Sequence, residues 1–261
     1  MKIYKISFLI AVLMLFFTSC AIDDDGVAVN TNTTVTAAIT GGSETIIVPR
    51  SDTPYEVGVS LSSPFAYEGL MKYSLNGVAT TGGIDAGNST ASIPLDVSEY
   101  GSYNVVLNEV LKLYEPDVTV NVDSDNNEAN VVVTEIPDVD SDNLVLSLAW
   151  PDADNNDLDL WGIFGEGVTG LVFDASQSVS ALEQISLPNF ETDGGYEIYV
   201  RDWASALDPI PFSLVAVHPD GTVEVFVSDI PNAAGQFNLA LKIVKSGSTY
   251  ALTQVNPTTP L

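Results

Sequence analysis

Short runs rich in Val, Ile, Thr, Tyr and Phe recur along the chain between clusters of Gly, Asn, Asp and Pro, and beyond residue 19 no stretch keeps a long helical period. Alternation with a period of two, bounded by turn residues, is the signature of half-buried strands. It is plainest in NLVLSLAW, residues 143–150, where Leu144, Leu146, Leu148 and Trp150 share one face. The pattern predicts strands near 34–39, 44–48, 55–62, 70–75, 91–96, 102–113, 117–122 and 130–135. A second series follows near 143–150, 157–164, 169–173, 181–187, 194–203, 211–218, 222–227, 237–245 and 248–253. Two such series predict an all-β chain of two antiparallel β-sandwich domains in tandem. Pro94 marks the strand 91–96 as an edge, because proline has no N–H to give a ladder. The sequence HPDG, residues 218–221, predicts a turn with Gly221 at positive φ.

The amino terminus breaks this pattern. Lys2 and Lys5 precede an apolar run over 6–17, followed by Thr18, Ser19 and Cys20. The run is too short to cross roughly 30 Å of hydrocarbon as a mature helix and has the flanks of a signal peptide, so residues 1–19 are set apart from the fold. FTSC, residues 17–20, resembles the lipobox of bacterial lipoproteins, with Phe17 where Leu is usual. The resemblance implies cleavage before Cys20 and acylation of its thiol; the plainer alternative is an ordinary signal peptide with an incidental cysteine. Cys20 is the only cysteine, so no disulfide within the chain and no thiolate metal site is available. Two or more acyl chains, at about 0.8 kcal/mol per buried methylene, would hold the protein on a membrane without spanning it. AIDDDG, residues 21–26, resembles the acidic tract behind the lipidated cysteine of surface-exposed lipoproteins in one large group of Gram-negative bacteria. That implies an outer-membrane, cell-surface address, and residues 20–33 also read as a solvated tether.

The mature chain divides into a first domain over 34–136, an acidic linker over 137–142, a second domain over 143–255 and a tail over 256–261. In size and strand count the first domain resembles an immunoglobulin-like or Calx-β-like module, which implies a fold and no function. The linker lies in EIPDVDSD, residues 135–142, where Pro137 ends a strand and four acids keep the connection in water. With Asp123, Asp125, Asn126, Asn127 and Glu128 it could instead hold a calcium ion between the domains.

Charge narrows the partners. Eight Lys and Arg stand against 35 Asp and Glu, a net charge of −27, and the leader removes two of those lysines. A surface this acidic repels phosphate backbones, which excludes nucleic acid. It suits divalent cations, basic partners, or simply solubility in salty surroundings.

The most unusual stretch is WPDADNNDLDLW, residues 150–161, with four aspartates and two asparagines between two tryptophans. Alternation places Leu158, Leu160 and Phe164 on one face and Asp157, Asp159 and Trp161 on the other. Calcium takes about six to eight oxygens, and Asp152, Asp154 and Asn156 ahead of Asp157 and Asp159 form a candidate ligand set for it. The spacing is not that of an EF-hand, since Asp157 stands where the loop glycine belongs. The alternative is a polar turn with outward strand aspartates, one of them paired with Arg201. Along 196–203, Tyr196, Ile198 and Val200 face a core, leaving Glu197, Tyr199, Arg201 and Trp203 outside. If the strand lies beside 157–164, then Trp161, Tyr199 and Trp203, with Arg201, form a candidate aromatic platform for sugar rings. The tryptophans would otherwise simply cover the sandwich.

The strand ending in Trp150, the acidic loop, Asp157-Leu158-Asp159-Leu160, and later GYEIYV at 195–200 and PFSL at 211–214 resemble the bacterial pre-peptidase C-terminal domains and their uncharacterised relatives. The resemblance covers residues 143 to about 254. It implies a small sandwich that serves as a calcium-tuned binding or stabilising appendage, performs no chemistry, and has an ion site at Asp157 and Asp159 with the preceding loop. Catalytic patterns are lacking: His218 is the only histidine and opens a turn, where solvation is expected, and no Gly-x-Ser-x-Gly elbow occurs. The expectation is a lipid-anchored surface binding or adhesion protein, supported by calcium, with a polysaccharide or surface protein as partner. A structural component of a surface or nutrient-uptake complex is the alternative, and a carboxylate-dependent hydrolase the third.

Overall fold

The computed structural model describes residues 33–114 and 118–256. The signal peptide, Cys20 and the tether through residue 32 lie outside the described residues, as does most of the tail. Among the described residues every regular element is a strand, and no helix is long and apolar enough to cross a membrane.

The amino-terminal half contains β1 (Thr33–Ile39), β2 (Thr45–Val48), β3 (Tyr55–Leu61), β4 (Gly69–Leu75), β5 (Val78–Ile84), β6 (Thr90–Leu95), β7 (Gly101–Lys112), β8 (Val118–Val122) and β9 (Glu128–Val133). They form two sheets, ordered β6-β3-β1-β8 and β2-β9-β7-β4-β5. Val35, Val57, Ile93, Met71, Leu107 and Val131 fill the space between them. The sandwich is not purely antiparallel. The chain leaves β1 through a turn in which Gly41 and Ser43 have positive φ, then enters the opposite sheet as β2. As a result β1 runs parallel to β8, and β2 parallel to β9. Pro94 does lie on an edge, because β6 pairs only with β3.

The carboxy-terminal half contains β10 (Asn143–Ala149), β11 (Asn156–Phe164), β12 (Leu171–Ser176), β13 (Leu182–Pro188), β14 (Gly194–Ser205), β15 (Ile210–Val217), β16 (Val223–Ile230), β17 (Phe237–Ser246) and β18 (Thr249–Gln254). A four-stranded sheet, β13-β10-β15-β16, faces a five-stranded sheet, β12-β11-β14-β17-β18. The predicted inner face of β10 holds: Leu144, Leu146, Leu148 and Trp150 are all fully buried, against Leu158, Ile198 and Leu214 among others.

The other face of the four-stranded sheet is closed over its two central strands, β10 and β15. Val145, Ser147, Val215 and Val217 are at most 3% exposed, and β15 packs against β7 of the first sandwich. Ala149 belongs to the first sandwich's core cluster, with Ala181 and Leu182 packed beside it. The two sandwiches therefore share a buried contact at the centre of that face, while Val223 and Val227 of β16 stay exposed at its edge.

Candidate cation and ligand site

The 150–156 turn is anchored from within. Trp150 Nε1 donates to the carbonyl of Asn156 at 2.8 Å. The Asn156 amide donates to the carbonyls of Pro151 and Asp152, while its Oδ1 accepts from the backbone N–H groups of Ala206 and Leu207, each at 3.2 Å. Asn156 is 2% exposed and satisfied at both ends, so it ties the turn to the loop after β14. Asp152, at φ +54°, accepts from the side-chain amide of Asn155 with both carboxylate oxygens. Asp154 is exposed.

Of the candidate calcium set, Asn156 is thus a structural strut of the turn. Asn156 spends both of its oxygens on N–H groups of the protein, whereas the carboxylate of exposed Asp152 accepts only from the Asn155 side-chain amide. Among the described residues no three Asp, Glu, His or Cys side chains converge on one point as a ready-made metal cage. Near the linker, Asp123 and Asp140 are likewise engaged. Asp123 accepts from the Asn126 side chain and the Asp125 N–H, and Asp140 from the Asp142 N–H and the Asn143 side chain. These hydrogen bonds hold both carboxyls below their ordinary pKa.

Beyond the turn, β11 does lie beside β14, with Asp159 opposite Arg201 and Trp161 opposite Tyr199, and the register shifts between Asp157 and Leu158. Arg201 Nη1 reaches Asp159 Oδ2 at 3.4 Å, and its guanidinium carbon lies 4.5 Å from the Trp203 ring centre and 5.4 Å from that of Phe237. Trp203 is 54% exposed. Trp161 is half-buried, its ring edge-on to Phe237 at 5.3 Å. Asp157, Asp159, Gln177, Ser178, Val179 and Trp203 line a crevice of about 230 Å³.

Tyr199 does not join this surface. It is fully buried, and its hydroxyl donates to Glu197 Oε2 at 2.6 Å. The turn after β11 closes over it, with the Gly167 N–H donating to the same oxygen at 2.7 Å, while Phe237 covers its other side. Burial opposes ionisation of Glu197, but hydrogen bonds from Tyr199, Gly167 and Lys242 outweigh it and hold its pKa below the usual value. The platform is therefore Trp203 and Arg201 with the edge of Trp161. His218 is also less solvated than its turn suggested: Nε2 lies 2.8 Å from Glu224 Oε1, and its ring meets that of Tyr250 at 6.3 Å.

Two buried acids missed by the sequence reading act on Asp157. Glu183 is 1% exposed and Asp202 fully buried. Glu183 Oε1 accepts from the Ser178 N–H and hydroxyl, both at 2.7 Å, and Asp202 Oδ2 accepts from the Ala233 N–H at 2.9 Å. Their remaining oxygens, with Asp157 Oδ1 and Ser205 Oγ, are buried without a hydrogen-bond partner. Burial first, then the charges of Glu183 and Asp202, raise the pKa of Asp157. Asp159 is raised by burial, against the pull of Arg201, with Asp157 and Glu183 adding to the rise. The signal for both acids was present in the alternation. Asp202 continues the inner face of Tyr196, Ile198 and Val200, and Glu183 precedes Ile185 and Leu187 on the inner face of β13.

No family model matches the chain, and no curated protein matches it. Among solved structures, it is similar to CBD12 from CALX1.2 at 9% identity, over 78% of this chain and 82% of that one, with a TM-score of 0.27. It is similar to the calcium binding domain CBD12 of CALX1.1 at 12% identity, over 65% and 80%, with a TM-score of 0.26. A third likeness is to SGBP-B of the Bacteroides ovatus mixed-linkage glucan utilization locus, in complex with a mixed-linkage heptasaccharide. There the identity is 12%, the coverage 85% of this chain and 65% of that one, and the TM-score 0.25. At such scores none of the three carries an argument about this chain.

Proposed function

We propose that the protein is lipid-anchored through Cys20 on the surface of the outer membrane and works by binding, without chemistry of its own. Its contact surface is the rim formed by Trp203 and Arg201, steadied by calcium at the acids beneath. The observation that carries this reading is the state of Trp203: 54% exposed, yet held by the guanidinium 4.5 Å away, itself paired with buried Asp159. An aromatic side chain fixed in place before binding loses little freedom when a ligand covers it. Sugar rings, with one apolar face and a hydroxylated edge, suit an indole flanked by Arg201, Gln177 and Ser178.

Affinity electrophoresis against a panel of soluble polysaccharides tests the reading. At least one should retard the protein, and Trp203→Ala should abolish the retardation while leaving the melting temperature nearly unchanged. Failure of every polysaccharide, or equal retardation of the variant, would overturn the glycan reading.

A further inference from the structure

Glu183 and Asp202 occupy positions that a sandwich normally gives to apolar side chains. They lie on the inner faces of opposed sheets, at the end of the core that opens toward the Asp157 turn. Glu183 spends one oxygen on the Ser178 N–H and hydroxyl and Asp202 one on the Ala233 N–H, and the other oxygen of each is buried and unpartnered, as is Asp157 Oδ1. Ser178, which holds Glu183, also lines the crevice with Asp157 and Asp159. Arg201, the cation at this end, is engaged by Asp159 and by the Trp203 and Phe237 rings.

An ionised carboxylate oxygen out of water and without a donor is costly, and at Asp157 the charges of Glu183 and Asp202 compound the cost. Protonation relieves one such group, whereas a divalent ion relieves several at once. We propose that Glu183 and Asp202, together with Asp157, hold one hydrated divalent cation of calcium's oxygen-seeking kind at this end of the second sandwich. The three carboxylates do not close on a point as a bare cage, so water completes the shell, as it commonly does around calcium and magnesium. The proposal deepens the calcium part of the reading above and moves the site from the 152–156 turn to acids contributed by three strands. An ion there would pin β11, β13 and β14 together beneath the Trp203 rim.

Calorimetric titration of calcium into the purified protein, first stripped with chelator, tests the assignment. Glu183→Gln and Asp202→Asn keep the acceptors that Ser178 and Ala233 use, so both should fold, which near-UV circular dichroism checks; Asp157→Asn serves as a third variant. The wild type should bind one calcium. Each of these variants should weaken binding at least tenfold, while Asp152→Asn and Asp154→Asn leave it unchanged. Weakening confined to the turn variants would overturn the assignment, as would a small and equal loss in all five, which marks diffuse attraction to an acidic surface. No binding by the wild type would also overturn it. The Trp203 reading would then be judged separately, by polysaccharide titration in chelator.

Discussion

Arg201 and Trp203, two residues apart on one strand, form a stacked pair with the guanidinium carbon 4.5 Å from the ring centre. The same guanidinium compensates Asp159, which is 5% exposed. Removing it takes away the stack and leaves a buried carboxylate without its counter-charge. Arg201→Ala should therefore destabilise the protein by about 2–4 kcal/mol in urea denaturation. Arg201→Lys should recover only part of that loss, because an ammonium cannot lie flat on the ring while reaching the carboxylate. A loss under about 0.5 kcal/mol for the alanine variant would show that the pair is ornamental.

Acidity should act on the crevice with a definite sign. Asp157 and Asp159 are raised above the ordinary carboxyl value of 3.8. Their folded forms favour the proton, so the stabilisation they contribute is full below the unfolded value and is lost as pH rises through the folded one. Asp157→Asn is neutral throughout. In chelator the variant should match the wild type near pH 3.5 and grow more stable than it toward about pH 7. Glu197, whose lowered value gives the opposite dependence, is common to both proteins and cancels in the difference. A difference that does not vary with pH would contradict the electrostatic account.

The turn offers a contrast between neighbours. Asn156→Ala removes four hydrogen bonds from a buried strut and should cost about 3 kcal/mol or more. Asp154→Ala, two residues earlier and exposed, should stay within about 0.5 kcal/mol. Thermal denaturation of the two side by side separates structural from solvated residues in this acidic stretch.

Gly162 allows β12 to press on β11. A Cβ there would stand 2.2 Å from the Phe173 ring, which packs edge-on to Tyr196 at 5.4 Å. Gly162→Ala should cost about 1–3 kcal/mol through overpacking. Added to Phe173→Ala, it should cost distinctly less than it does alone, a coupling that a double-mutant cycle reads directly.

Much of this was legible in the sequence. The alternation over 143–150 fixed the inner face of β10, Pro94 marked an edge strand, and Gly221 closes its turn at φ +86°. β5 was not legible. Its sequence, VATTGGI, sits on a sheet edge where no core contact imposes apolar alternation. Nor was the fate of Tyr199, because a strand pattern says which face a side chain takes and not what folds over that face. The calcium set was drawn from residues adjacent in sequence. The unpartnered carboxylate oxygens of Glu183 and Asp202 come instead from strands that only the sheet arrangement places at the same end as Asp157.

Whether a cation completes that acidic end is tested most directly by the unfolding free energy of the wild-type protein in chelator and in about 1 mM calcium. An ion bound only by the native state at micromolar Kd should add about 4 kcal/mol, and Glu183→Gln should remove that gain while being no less stable than the wild type in chelator. Equal stability of the wild type with and without calcium would contradict the account, leaving the carboxylates to be relieved by protons alone.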